Sequence, residues 1–118
     1  MLAIADSQML AFERAIEQEF LQRAARHLSR YFPDVCEPFG KVDFDAFLRD
    51  QKDRARPYGM TTERQLVMWF MIALLAGPNF DEAPDVSEFL RHPSFTPYER
   101  MQGLLGVLLR ETNRRLPP

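Results

Sequence analysis

The sequence has little of what would place a protein outside the cell or in a membrane. Its only cysteine is Cys36, so an intramolecular disulfide is excluded and a reducing compartment fits. The first residues lack the positive charge of a signal peptide and are followed at once by the acidic Asp6. The longest apolar run, Leu66–Ala76, has eleven residues, whereas a membrane span needs about 20. These absences predict a cytoplasmic protein that does not enter a membrane.

The chain also lacks an excess of positive charge. Its formal net charge is −2, whereas a protein that neutralises several phosphates normally presents a basic surface. Arg23, Arg26 and Arg30 share one side of a predicted helix and could meet phosphates. A solvated helix face is the better interpretation, because acids cancel the charge overall and no nucleic-acid-binding motif accompanies the arginines. The sequence therefore predicts no nucleic-acid partner.

Patterns for catalysis, cofactor binding and metal binding are missing as well. The two histidines, His27 and His92, have no acid at a metal-ligand spacing. Nothing near Cys36 in sequence would activate its thiolate, and a lone cysteine before a turn is typical of a small buried apolar residue. The chain contains neither a glycine-rich phosphate loop nor a Gly-x-Ser-x-Gly turn. We therefore expect no enzyme activity, no cofactor and no metal.

What the sequence does contain is the size and apolar content of one folded domain. Its 118 residues are 46% hydrophobic, enough for a single core spanning residues 1–118. Apolar residues recur at helical spacing, and no stretch alternates as a strand does. The predicted fold is all-α, a single small bundle of four main helices plus one short helix. The predicted helices cover residues 6–32, 43–57, 62–76, 85–91 and 96–115.

Several helix starts and a core follow from local patterns. Thr62 with Gln65 and Thr96 with Glu99 have the spacing of capping boxes, in which each side chain bonds to the other residue's backbone amide. The other predicted N-caps are Asp6 or Ser7, Asp43 and Asp85. The first helix would be roughly 40 Å long at 1.5 Å per residue, more than one small core needs, so part of it could serve another surface. The predicted buried residues are Phe12, Ile16, Phe47, Phe70, Leu74, Leu105 and Leu108.

The third helix is apolar all round, which requires burial on every side. Either its neighbours wrap it completely, or a partner protein covers one face; Met-rich surfaces suit partners because methionine repacks easily. The predicted partner-binding patch comprises Met68, Trp69, Ile72 and Phe80. On the alternative account the long first helix folds over that face, and Phe80 packs back onto its own core. An uncovered patch would make the isolated chain dimerise, aggregate or depend on its partner for stability.

A set of short motifs in a fixed order supports a family assignment. The motifs are Gln8-Met9-x-x-Phe12-Glu13, Phe20-x-x-Arg23, His27-Leu28, Phe32-Pro33-x-x-Cys36, Ala55-x-x-Tyr58-Gly59, Gly77-x-x-Phe80-Asp81-x-x-Pro84 and Arg100-Met101. Together they span nearly the whole chain, which resembles the small accessory proteins encoded beside type VI secretion effectors and their chaperones in proteobacteria. Met60 departs from the branched aliphatic residue expected after the Tyr-Gly pair.

The resemblance implies a protein-binding co-chaperone or adaptor. Such a protein would bind a larger effector chaperone, or the effector itself, and help to load it onto the secretion spike. The resemblance assigns no individual binding residues. The alternative is an immunity protein that neutralises a toxin made by the same cell, since immunity proteins are often small, acidic and helical too.

Overall fold

The computed structural model describes the backbone of residues 6–115 and the side chains of residues 8–111. All regular secondary structure in this part of the chain is helical. The elements are α1 Asp6–Tyr31, α2 Pro33–Cys36, α3 Lys41–Ala55, a 3-10 turn Arg56–Tyr58, α4 Glu63–Ala76, a second 3-10 turn Phe80–Glu82, α5 Pro84–Leu90 and α6 Pro97–Arg115. The all-α prediction is confirmed for this part of the chain. Within it there are six helices, one more than predicted, because α2 forms between the first two predicted helices, where none was expected.

The start of α3 is the clearest error among the predicted helix ends. Asp43 is not its N-cap, because Gly40 takes the extended capping conformation and the helix begins at Lys41. Asp85 does not cap α5 either, since that helix begins at Pro84 after Ala83. The capping predictions for Asp6 and Ser7 fall outside the described side chains.

Both predicted capping boxes are confirmed. The Thr62 hydroxyl accepts a hydrogen bond from the Gln65 amide at 3.1 Å, and the Gln65 side chain accepts one from the Thr62 amide at 3.1 Å. Thr96 and Glu99 form the same pair of bonds, at 3.2 and 2.9 Å. The backbone and side chain of Thr96 both hydrogen bond to the Glu99 carboxylate and hold its pKa below the ordinary value. This second box therefore stabilises the fold above the ordinary glutamate pKa and weakens as pH falls below it.

Removing either capping hydroxyl is expected to lower the free energy of unfolding by about 1 kcal/mol. Thr62→Ala and Thr96→Ala each leave one first-turn amide without its side-chain acceptor, and urea unfolding monitored by circular dichroism measures the cost. The matched control is Thr61→Ala, because Thr61 is exposed and takes part through its backbone amide alone. A control that cost as much as the two cap variants would contradict the capping role.

The core forms around α4, which is central and covered by α3, α6 and part of α1. Trp69 is fully buried, with its ring 4.7 Å from Phe80 and 5.6 Å from Tyr58 between centroids. Phe70 lies on another face and contacts Phe20 of α1 at 6.2 Å. Of the two alternatives left open for this apolar helix, the structure shows coverage by its own neighbours, which is complete on the face of Trp69 and partial at Met68 and Met71.

A buried amide and an ion pair connect α3 to the segment after α4. Gln51 has no exposed surface; its oxygen accepts from the Trp69 indole at 2.9 Å, and its nitrogen donates to the Pro78 carbonyl at 2.9 Å. One turn along α3, Arg54 bonds the nearly buried Asp81 carboxylate at 2.7 Å. Together these bonds fix the position of α3 relative to α4.

The first helix is only partly covered. Every residue from Gln8 to Ile16 is exposed, whereas Phe20, Leu21, Ala24 and Leu28 are buried. Burial of Phe12 and Ile16 was thus wrongly predicted, because contacts with α3 begin only at Glu17 and Gln18. Of the other predicted core residues, Phe70 is buried, and Phe47, Leu74, Leu105 and Leu108 are partly buried against the core.

Candidate protein-binding surfaces

The patch predicted from the sequence is not a surface of this chain. Trp69, Ile72 and Phe80 are 0%, 1% and 8% exposed, so an exposed patch was wrongly predicted for three of its four residues. The reason is that α3, α6 and the turn Phe80–Glu82 close over α4. The face is buried internally, as the alternative account stated, and Phe80 packs back onto its own core. The cover comes chiefly from α3 and α6, however, and not from the first helix. Met68 is half-buried, and it lines a groove described below.

Exposed apolar surface is instead concentrated at the start of α1. Met9, Phe12 and Ile16, here called the α1 stripe, are 41%, 61% and 54% exposed. Their spacing of three and four residues places them on one side of the helix. Isolated exposed apolar residues are ordinary, but several large ones on adjoining turns mark an interaction surface.

The α1 stripe leads into a shallow groove between α1 and α4, here called the small groove. Its volume is about 400 Å³, and its lining residues are Phe20, Arg23, Ala24, His27, Glu63, Arg64, Val67 and Met68. Ile16, Phe20, Arg23 and His27 continue the same three-to-four spacing, so the stripe and the groove occupy one face of α1.

An ion pair marks the lip of the small groove. The Arg23 guanidinium bonds the Glu63 carboxylate at 2.9 and 3.3 Å, and these bonds lower the pKa of Glu63. The pairing helps to hold α1 against α4 above the ordinary glutamate pKa and weakens as the pH falls. Of the three arginines considered as a phosphate site, Arg23 is therefore already engaged by an acid.

A second and larger groove lies between α1 and α3. This large groove has a volume of about 890 Å³ and is lined by Gln18, Gln22, Ala25, Arg26, Ser29, Pro33, Cys36, Glu37, Phe39, Lys41, Val42, Phe44 and Asp45. Phe39 packs against Phe44 and Phe47 at 5.4 and 5.0 Å between ring centroids, which gives one wall an aromatic surface. Val42 stands at its edge, 80% exposed, the highest value among the large exposed apolar residues of the described side chains.

The polar groups of the large groove are not arranged for catalysis. Cys36 is buried; burial raises the pKa of its thiol, although a hydrogen bond with Ser29 partly offsets the shift, so the unreactive protonated form is favoured. Charges of both signs, Arg26 and Lys41 with Glu37 and Asp45, line the groove around this apolar wall. Such an arrangement is typical of a surface that packs against apolar side chains and pairs with charges around them.

The described residues form neither a metal site nor a membrane span. No group of three or more histidine, cysteine, aspartate or glutamate side chains there is placed to hold a metal ion. None of the described helices is long and apolar enough to cross a bilayer. Comparison with protein-family models finds no match, and comparisons with curated proteins and with solved structures find none either.

No sequence pattern predicted the large groove, whereas the length of the first helix was a signal for the α1 stripe. The predicted start of α3 at Asp43 placed Val42 outside the helix, so nothing in the sequence indicated that Val42 lines a groove. The excess length of the first helix did point to a second surface, because a small core cannot cover about 40 Å of helix.

Proposed function

We propose that this chain is an adaptor that acts by binding a larger protein, and that the large groove is where that partner docks. The observation that carries the proposal is an aromatic-walled groove of about 890 Å³ with an almost fully exposed valine at its edge. An amphipathic helix of a partner could place its apolar side chains against Phe39 and Val42. Its polar flanks would then meet Arg26 and Lys41, or Glu37 and Asp45.

The shape of the groove favours a protein over a small metabolite. Sites for small molecules usually bury a few convergent polar groups that fix the ligand's orientation. In the large groove the buried lining residues are Cys36 and Phe44, which make weak hydrogen-bond partners or none. An apolar wall with a charged surround is instead the anatomy of a protein interface, with an apolar centre and a polar rim.

The class of partner follows from the sequence resemblance. Proteins encoded beside type VI secretion effectors would meet an effector chaperone or an effector, and we propose one of these as the occupant of the large groove. The adaptor would hold that partner while it is loaded onto the secretion spike, in the cytoplasm, with no enzymatic step of its own.

Copurification from native cells tests this function. The tagged chain is expected to bring down a larger chaperone or effector, identified by mass spectrometry, and Val42→Glu is expected to weaken recovery at least about tenfold, or 1.4 kcal/mol. The matched control is Val107→Glu, a second exposed valine, 49% exposed on α6, which should leave recovery unchanged. If the Val42→Glu variant recovered as much partner as the wild type, the large groove would not be the partner's binding site.

Deletion of the gene separates the adaptor from an immunity protein. Loss of an adaptor abolishes effector delivery and leaves the cells resistant to their sister cells. Sensitivity to sister cells, with delivery intact, would contradict the adaptor function and establish immunity in its place.

A further inference from the structure

The α1 stripe and the small groove lie next to each other on one face of α1. The stripe is convex, because Met9, Phe12 and Ile16 stand on a part of α1 that no other described helix covers. The small groove is concave, and its apolar lining comprises Phe20, Ala24, Val67 and Met68. A surface that carries both a projection and a depression can pair with a second copy of itself.

The spacing of the two features suits a two-fold arrangement. Phe12 and Ala24 lie twelve residues apart on α1, or about 18 Å at 1.5 Å per residue. A two-fold axis crossing the helix midway, near Gln18, would place Phe12 of each copy beside Ala24 of the other. Ile16 of each copy would then face Phe20 of the other. Closed pairs of this kind use the same patch on both subunits, as a two-fold interface requires.

The charges on α1 favour the antiparallel orientation. Residues 6–19 of α1 have four acids and one base, Asp6, Glu13, Glu17 and Glu19 with Arg14. Residues 20–31 have three bases, Arg23, Arg26 and Arg30, and no acid. Antiparallel packing sets each acidic segment beside a basic one, whereas parallel packing sets like charges together. Glu17 and Arg23 also pair within the chain, with Lys52 and Glu63, so the other charges on α1 select the orientation. Charge patterning of this kind selects orientation and register more than it adds affinity.

We propose that the α1 stripe is the interface with a second copy of this chain. The two α1 helices pack antiparallel, and Met9, Phe12 and Ile16 of each copy fill the small groove of the other. This interface does not depend on the partner assigned to the large groove, because Gln22 and Phe20 point about 160° apart around α1. The dimer therefore leaves both large grooves open and carries two partner sites.

Sedimentation equilibrium on the full chain tests the proposal. The wild-type protein is expected to have twice the 13.8 kDa mass of one chain at micromolar concentration. The double variant Phe12→Glu, Ile16→Glu is expected to be monomeric, with a dissociation constant raised at least about 100-fold, since it would bury four unpaired charges per dimer. Both side chains are more than half exposed in the single chain, so circular dichroism should show a folded monomer.

The matched control is Val42→Glu, which alters the large groove and should remain dimeric. A wild-type chain that is monomeric at 100 μM, or a dimer that survives the double variant, overturns the proposal. The proposal is also overturned if the double variant stays dimeric but no longer copurifies with its partner, because the α1 stripe would then bind the partner protein and not a second copy.

A distance measurement tests the orientation. Spin labels on Gln8→Cys, in a Cys36→Ser background with helix content checked, should lie about 30 Å apart across the antiparallel dimer, since each is ten residues from the axis. In a parallel pair the same labels would lie about 10 Å apart, the distance between packed helix axes. The short distance overturns the antiparallel arrangement.

Discussion

Trp69→Ala is expected to remove about 3–5 kcal/mol from the free energy of unfolding. The indole has no exposed surface and lies between the rings of Tyr58 and Phe80. Its loss leaves a cavity, because these two rings are held by different elements and cannot move together to fill it. The substitution also removes the donor that Gln51 accepts from. Domains of this size have only about 5–15 kcal/mol in total, so the variant should be largely unfolded under mild denaturing conditions.

Urea unfolding followed by circular dichroism measures this loss, and Tyr31→Ala is the control. Tyr31 is an aromatic residue of α1 with 62% exposure, and its ring contacts His27 alone among the described rings. Its removal should change stability by no more than about 0.5 kcal/mol. Equal losses in the two variants would mean that Trp69 is not the centre of the core.

Two helix starts and the all-helical class of this fold could be predicted from the sequence, for local reasons. Capping boxes act over four residues, so Thr62 and Thr96 locate the starts of α4 and α6 without any knowledge of tertiary structure. An all-apolar helix such as Leu66–Ala76 must find cover from its neighbours or from a partner, and in the structure its neighbours supply most of that cover. Both deductions depend on short stretches of chain.

The exposure of the first helix could not be predicted in the same way. Phe12, Ile16, Phe20 and Ala24 fall on one helical stripe, and periodicity assigns the stripe to the core as a unit. The residues of α1 that are covered depend on how far α3 and α4 extend along that helix. Contacts with α3 begin at Glu17. The same stripe is therefore core at Phe20 and free surface at Phe12.

The large groove lay beyond sequence reasoning for a different reason. Its walls come from α1, the short α2 and the beginning of α3, and its width depends on how those helices pack. Val42 becomes a groove wall only because α3 starts two residues earlier than the pattern indicated. The predicted partner patch was wrong for a related reason. Trp69 packs against Tyr58 and Phe80, which belong to other elements, and helical periodicity does not show such contacts.

Gln51→Met is expected to destabilise the protein by about 2–5 kcal/mol, although methionine fills nearly the same space. Glutamine is seldom fully buried, and here both the oxygen and the nitrogen of the side-chain amide form hydrogen bonds. The substitution leaves the Trp69 N–H and the Pro78 carbonyl in the core without a partner, and each unsatisfied group costs about 1–3 kcal/mol. Gln102→Met, on the exposed face of α6, is the matched control and should change little.

A double-mutant cycle distinguishes the lost hydrogen bond from poor packing of methionine. Trp69→Phe removes the indole N–H, so in the Gln51→Met background that group is no longer left unsatisfied. The loss caused by Gln51→Met should then be about 1 kcal/mol or more smaller in the Trp69→Phe protein than in the wild type. Additive losses would show that the indole hydrogen bond contributes nothing, and the cost of Gln51→Met would then lie in packing or in the unsatisfied Pro78 carbonyl. A coupled result would mean that the indole bond fixes α3 against α4, and with it the wall of the large groove that carries Val42.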